Sequence, residues 1–181
     1  MEHPTFSRAE VEKMGISGEA LAYYVRKGTL ERLASGVYFD PTRELKIDFK
    51  WQDLTRVAYS VKDGVICLLS ALDYYGLTQE IPRQFWIAIP HDKRVPVIPN
   101  TRFVRFRNIN LGKMPIKVGE VKLQIFDKER TVVDSFRYLD KEVAVKALRK
   151  LVEQGLDFEK ISSYATKLRV DIEPYVYSVT A

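Results

Sequence analysis

The sequence predicts an α+β protein: a short N-terminal winged helix-turn-helix over residues 1–43, then a mixed α/β domain over residues 44–181 that closes with a C-terminal helical bundle. Three observations carry this reading. Capping residues and glycine stops bracket two short helices within the first thirty residues. Between Leu45 and Phe126 the apolar pattern switches repeatedly between alternation and helical spacing, and after Asp127 it is helical to the end.

Ser7-Arg8-Ala9-Glu10 is a capping box, in which the Ser7 hydroxyl accepts the Glu10 amide while the Glu10 carboxylate reaches back, with Phe6 and Val11 flanking it as a hydrophobic staple. A helix over about 8–14 follows and stops at Gly15. Ser17 caps a second helix that runs to Lys27 and ends at Gly28. TLERLASGVYF then reads as two strands around an Ala-Ser-Gly turn, a wing. At 100° per residue the second helix places Leu21, Tyr24 and Val25 on a packing face, and Glu19, Tyr23, Arg26 and Lys27 on the opposite one. In a DNA-binding module the second face meets the major groove, where Arg bonds guanine edges and Tyr or Lys holds phosphate. With it go Ser17 at the helix start, and Arg32 and Ser35 in the wing, which would track the flanking backbone.

Pro41 ends the wing, since proline cannot continue a ladder. Beyond it LKIDFKW alternates like a strand, DLTRVAYSVKD and VICLLSALDYYG look helical, and FWIAIP reads as a buried strand. PHDKRVPVIP, with three prolines, is a loop. FVRFR is a strand with Val104 and Phe106 on one face and Arg105 and Arg107 on the other, and VKLQIF pairs with MPIKV through Gly119-Glu120. ERTVVDSFRYL, EVAVKALRKLVEQG and FEKISSYATKL are amphipathic helices, and a last short one follows near Pro174.

The chain has 181 residues with a net charge of +5. Arg83, Lys93, Arg94, Arg102, Arg105 and Arg107 stand within 25 residues against Asp92 alone, so this segment carries the whole excess. Such confinement is the pattern of a basic patch for a polyanion, nucleic acid or an acidic partner. Residues 1–45 hold six bases and seven acids, so DNA binding by that stretch alone should be weak. A single cysteine, Cys67, allows no internal disulfide and points to a reducing compartment, the cytoplasm. With the distant His3 and His91 it builds no zinc cluster. No apolar run reaches the roughly 20 residues of a membrane span, and the start lacks the order of a signal peptide.

Nucleotide-binding, metalloprotease and hydrolase motifs are missing, so no catalytic residue, metal or cofactor is expected. Asp127, Glu129 and Asp134 cluster in sequence. Asp127 reads as an N-cap and Glu129 as a first-turn anion, while Asp134, on an apolar helix face, should be buried and paired with Arg130 or a distant Arg. Ser70 is expected to bond the carbonyl four residues back.

Several segments together resemble the AbiEi family of antitoxins, transcriptional regulators of bacterial type IV toxin–antitoxin (abortive infection) systems. GISGEALAYYVRKGTLERLASGVYFDP is similar to the family's N-terminal winged helix, and VICLLSALDYYGLTQEIPRQFWIAIPHDKRVP to the start of its C-terminal domain. VRFRN, GEVKLQIFDKERTVVDSFRY, VAVKALRKL and YATKLRVDIEPYV follow in the family's order. The resemblance implies a non-enzymatic protein whose winged helix binds inverted repeats in its own promoter, and whose C-terminal domain counteracts a nucleotidyltransferase-like toxin. It puts the recognition helix on 17–27, the wing on 30–39 and the basic stretch in the C-terminal domain, facing DNA, the toxin or its target. Winged helices usually carry a further helix before the capping-box one, for which MEHPT is too short, so the module should lean on the larger domain. The other readings are a regulator or protein-interaction module of the same fold without a toxin partner, and a nuclease-like protein, which lacks the P-D and E-x-K set.

Overall fold

Ser7 stands in extended backbone before α1 (Arg8–Lys13). Its hydroxyl accepts the Glu10 amide at 3.3 Å and the Glu10 carboxylate takes the Ser7 amide at 2.6 Å, so the capping box closes in both directions. The computed structural model describes residues 4–43, 47–119 and 121–180. Gly15, at φ +80°, provides the left-handed stop, and Ser17 caps α2 (Gly18–Arg26) by accepting the Ala20 amide at 3.2 Å.

The hairpin expected next is β2 (Glu31–Ala34) and β3 (Val37–Phe39), turning at Ser35 and Gly36. A strand that the sequence reading leaves out, β1 (Thr5–Ser7), pairs antiparallel with β3 and gives a sheet ordered β1-β3-β2. At three residues it is too short to display an alternation. Phe6, Val11 and Leu21 are buried together, with Ile16, Leu30 and Tyr38 packed around them.

The LKIDFKW strand is overturned. Asp48 instead caps α3 (Phe49–Ser60), accepting the Lys50 amide at 2.9 Å, while Leu45 and Lys46 lie outside the described residues. The cap resets the period: Leu54, Thr55 and Ala58 turn inward at helical spacing, and Phe49, which alternation would bury, is 84 % exposed. VICLLSALDYYG also divides. Val65–Ile66 is β4, and the helix, α4 (Leu68–Tyr74), begins only after Cys67. A continuous apolar run does not separate a buried strand from a buried helix, and β4 is the central strand, apolar because both its faces are covered.

β5 (Phe85–Pro90), β6 (Thr101–Phe106), β7 (Lys113–Val118) and β8 (Val121–Phe126) complete a five-stranded sheet ordered β6-β5-β4-β8-β7. The pairs β5 with β6 and β4 with β8 are parallel and the other two antiparallel. The β7–β8 hairpin forms as expected, with Gly119 at φ +58° in its turn and Glu120 outside the described residues. Then come α5 (Lys128–Tyr138), α6 (Lys141–Glu153), α7 (Phe158–Leu168) and α8 (Glu173–Thr180), which holds Pro174 in its first turn, where a missing amide costs nothing.

The sheet separates two layers. On one face Leu54, Ala58 and Val61 of the α3 segment pack on Ile87, Ile89, Leu123 and Ile125. On the other, Trp86, Ala88, Phe106 and Phe126 lie against Leu68. Behind them Leu72, Val132, Phe136, Leu148, Leu151, Ile161 and Leu168 join the C-terminal helices.

α3 also holds the first forty residues. The Arg56 guanidinium stacks 3.7 Å over the Phe39 ring and pairs with Glu31 at 2.8 Å and Asp53 at 3.3 Å. The Tyr59 hydroxyl donates to Glu10 at 3.2 Å, and burial, then the Glu10 charge, pushes that phenol up to about 12. The N-terminal segment therefore leans on the larger part through the same carboxylate that closes its capping box.

Candidate nucleic-acid interface

Leu21 is the one fully buried side chain of α2, and its burial fixes which side of the helix faces out. Glu19, Tyr23, Arg26 and Lys27 are all exposed. The Lys27 ammonium sits 5.9 Å from the Tyr23 ring centre, and neither Arg26 nor Lys27 forms an ion pair among the described residues. Tyr24 corrects the helical wheel. Assigned to the packing face, it is 41 % exposed and lies edge-on to Tyr23 at 5.6 Å. The helix has only a narrow buried stripe, because the core beneath it is three side chains, so the neighbouring position has nothing to pack on. Ser17 spends its oxygen lone pair on the cap.

Ser35 is exposed at the turn of the hairpin, and Arg32 donates to the Ala34 carbonyl at 3.4 Å from the strand before it. Beside this turn lies Arg94: Ala34, Ser35, Arg94, Val95 and Val97 line one shallow cleft. Sequence reading finds Arg94 in the basic segment, but its position against the hairpin comes from the parallel β5–β6 pairing, which returns the loop 91–100 past Ala34 and Ser35. Nothing local in the sequence signals it.

The six bases of that segment do not form one stripe. Arg102 faces the sheet side of its register partner Trp86, over whose ring it stacks at 4.4 Å. Arg105, an odd number of residues later, points to the other face and donates to the Lys93 carbonyl at 3.4 Å. Arg107 lies past the end of β6, where it lines a pocket with Lys167, and Arg83 is exposed in the bend before β5. Arg94 thus stands beside the hairpin, Arg105 takes the face of β6 opposite Arg102, and Arg107 lies with Lys167.

The acidic cluster is structural in its contacts. Asp127 caps α5 by accepting the Arg130 amide at 2.9 Å, and also accepts the Tyr164 hydroxyl at 2.7 Å. Burial, then that bond, pushes the Tyr164 phenol up to about 12. Glu129 is buried as well, and pairs with Lys160 at 2.9 Å. Burial draws the Lys160 ammonium down, but the bond to Glu129 and the Asp127 charge raise it on balance. Asp134 and Arg130 form a fully buried pair at 2.6 Å, as the apolar helix face predicts. Burial lifts the Asp134 carboxyl to about 6, the Arg130 charge pulling the other way. The Ser70 expectation is overturned: its oxygen accepts the Trp86 amide at 2.9 Å, which ties α4 to β5. Cys67 is fully buried and its thiol is pushed well up by that burial, the opposite of an activated nucleophile. Among the described residues no group of three or more His, Cys, Asp or Glu is placed to hold a metal ion, and no helix is long and apolar enough to cross a membrane.

The stretch that builds α1, α2 and the hairpin is the one that comparison with known families recognises. Residues 1–38 match the AbiEi antitoxins, a family of transcriptional regulators. The AbiEi match bears out the resemblance over residues 1–38, and it covers the candidate DNA-binding residues from Ser17 to Ser35. It supports a regulator role, in a family that is not typically enzymatic. No curated protein matches the chain.

Proposed function

We propose that this protein is an AbiEi-type antitoxin of a type IV toxin–antitoxin system, which represses its own operon through residues 1–43 and counteracts a nucleotidyltransferase-like toxin through residues 44–181. The order strand, helix, turn, helix and two-stranded hairpin supports a winged helix-turn-helix, with α2 as the helix that enters the major groove of inverted repeats in promoter DNA. The observation that carries the reading is the outer face of α2. It presents Tyr23, Arg26 and Lys27 together, free of acidic partners among the described residues, within the stretch matched to a family of regulators.

Charge decides how the binding works. A net of −1 over residues 1–45 gives little phosphate affinity, and phosphate contacts dominate protein–DNA affinity. Arg94, delivered beside Ser35 by the loop 91–100, and its sequence neighbour Lys93 supply what the module lacks. The DNA footprint is therefore composite: base edges read by α2, flanking phosphates held by Arg32, Ser35 and the loop.

Gel-shift titrations on the chain's own promoter test this. Arg26→Ala should cost about 1 to 3 kcal/mol of operator binding and relax discrimination, whereas Lys27→Ala should weaken all sequences alike. Replacing Lys93 and Arg94 by Gln should lower the salt slope by up to about two, at roughly 0.9 per phosphate contact. Unchanged affinity in the Arg26 and Lys27 variants overturns the assignment of α2. Co-expression of the full chain with a nucleotidyltransferase-like product of the adjacent gene should restore growth; repression without rescue would leave a regulator with no toxin partner.

A further inference from the structure

The far end of the basic segment has no place in that footprint. Arg107 follows Phe106, the last residue of β6, which pairs with Pro90 at the end of β5. There Arg107, Asn108, Ile109, Asn110, Leu111 and Lys167 line an open cavity of about 450 Å³, within the range of small-molecule sites. Two cations and two carboxamides line it and no acidic side chain does. Neither Arg107 nor Lys167 forms an ion pair among the described residues.

The loop's own backbone is set up from beneath. Arg130 Nη1 donates to the Asn108 carbonyl at 3.0 Å and to the Leu111 carbonyl at 2.8 Å, and the Asp127 amide donates to the Gly112 carbonyl at 2.8 Å. The acceptor ends of three peptides are thereby turned into the protein. Lys113 holds the Asn110 side-chain oxygen at 2.8 Å, which leaves the carboxamide nitrogen as its free end. Gly112 makes the arrangement possible: its φ is +68°, and a Cβ there would stand 2.8 Å from the Cβ of Arg130. Arg130 itself is immobilised by Asp134 and lies 4.5 Å from the Phe126 ring, so the loop rests on a fixed base.

We propose that this pocket is a binding site for a phosphate group, carried by a free nucleotide or by the end of a nucleic-acid strand. Withdrawn acceptors, a free carboxamide nitrogen and two unpaired cations are the electrostatic requirements of a phosphate, and Arg107 supplies the planar fork that fits its oxygens. The site is separate from the α2 face and does not depend on the DNA-binding reading. What was one basic run in the sequence is two sites in space.

Amide NMR of the full chain, titrated in parallel arms, tests it. One arm uses inorganic phosphate, one ATP, and two use a short single-stranded oligonucleotide with and without a 5′-phosphate. Saturable shifts confined to residues 108–112 and 167 are expected from ATP or from the phosphorylated strand, and whichever binds more tightly identifies the source. Arg107→Gln with Lys167→Gln should weaken that binding about tenfold or more while leaving the melting temperature and promoter binding unaltered; Arg102→Gln should change neither. No saturable shift at millimolar ATP or phosphorylated strand overturns the proposal, as does binding that survives the double substitution or that is equal for the unphosphorylated strand. Promoter binding in the same samples reports separately on α2, so the two readings fail independently.

Discussion

The two ends of this molecule are held by different physics. In the larger part, layers of Val, Leu, Ile and Phe enclose a five-stranded sheet and a set of C-terminal helices, and burial of apolar area supplies the stability. The first forty residues bury Phe6, Val11 and Leu21, each contributing about 1.5 to 3 kcal/mol, and rely on helix caps at Ser7 and Ser17, worth about 1 kcal/mol each. Ordering a backbone residue costs about 1 to 2 kcal/mol, so such a core cannot order some 35 residues alone. Arg56 and Tyr59 of α3 tie this stretch to the larger part, through Phe39 and Glu31 and through Glu10. The exposed face of α2 can thus rest on a small core because another part of the chain supports its folding.

Cutting the chain between the two regions should have the largest effect. A fragment of residues 1–43 is expected to show no cooperative thermal transition by circular dichroism, while residues 47–181 keep one. A cooperative melt of the short fragment would break the comparison outright.

Within the larger part the most sensitive point is the buried pair. Asp134→Ala leaves the Arg130 guanidinium without its counter-charge, and urea unfolding at neutral pH should show a loss of about 3 to 5 kcal/mol. The pair also sets a pH dependence. Because burial raises the Asp134 carboxyl to about 6, the folded chain holds this proton more tightly than the unfolded chain does. The part of the stability that comes from holding this proton is fullest below about 4 and is lost as pH rises through about 6. Stability measured relative to Asp134→Asn should therefore fall between those limits; a rise would mean that the Arg130 charge outweighs burial.

The smallest effect belongs to the joint. Arg56→Gln removes the stack on Phe39 and the pair with Glu31, both partly exposed, and should cost about 1 kcal/mol. Amide exchange should quicken across residues 5–39 and stay unchanged in α5–α7. Uniform acceleration would show that the two regions open as one.

How far the sequence speaks for itself varies along the chain for physical reasons. Caps are local chemistry, so α1, α2 and α5 are legible from Ser7, Ser17 and Asp127, and the partner of Asp134 follows from its helical spacing. Long amphipathic stripes place α6 and α7 equally well. LKIDFKW misleads because one Asp cap outranks a short alternation, and Val65–Ile66 hides because a central strand and a buried helix are equally apolar. The site divides the same way. The outward set on α2 can be read from a wheel, apart from Tyr24, whereas the separation of Arg94 from Arg107 depends on where the loop 91–100 passes and on where β6 ends.

The two faces of β6 have a further consequence, for how many copies of the chain can share a solution. A sheet with free outer strands is a template on which another copy can add its own, and here the outer strands are β6 and β7. β7 carries Lys113, Pro115 and Lys117 along one side, with a proline that has no amide to offer a newcomer. β6 sets Arg102 on one side and Arg105 on the other, so a second β6 brought alongside meets like charge on both. Charge on both faces of β6 and the proline of β7 oppose such pairing, and discharging Arg102 and Arg105 would lower the barrier to growth of the sheet from copy to copy.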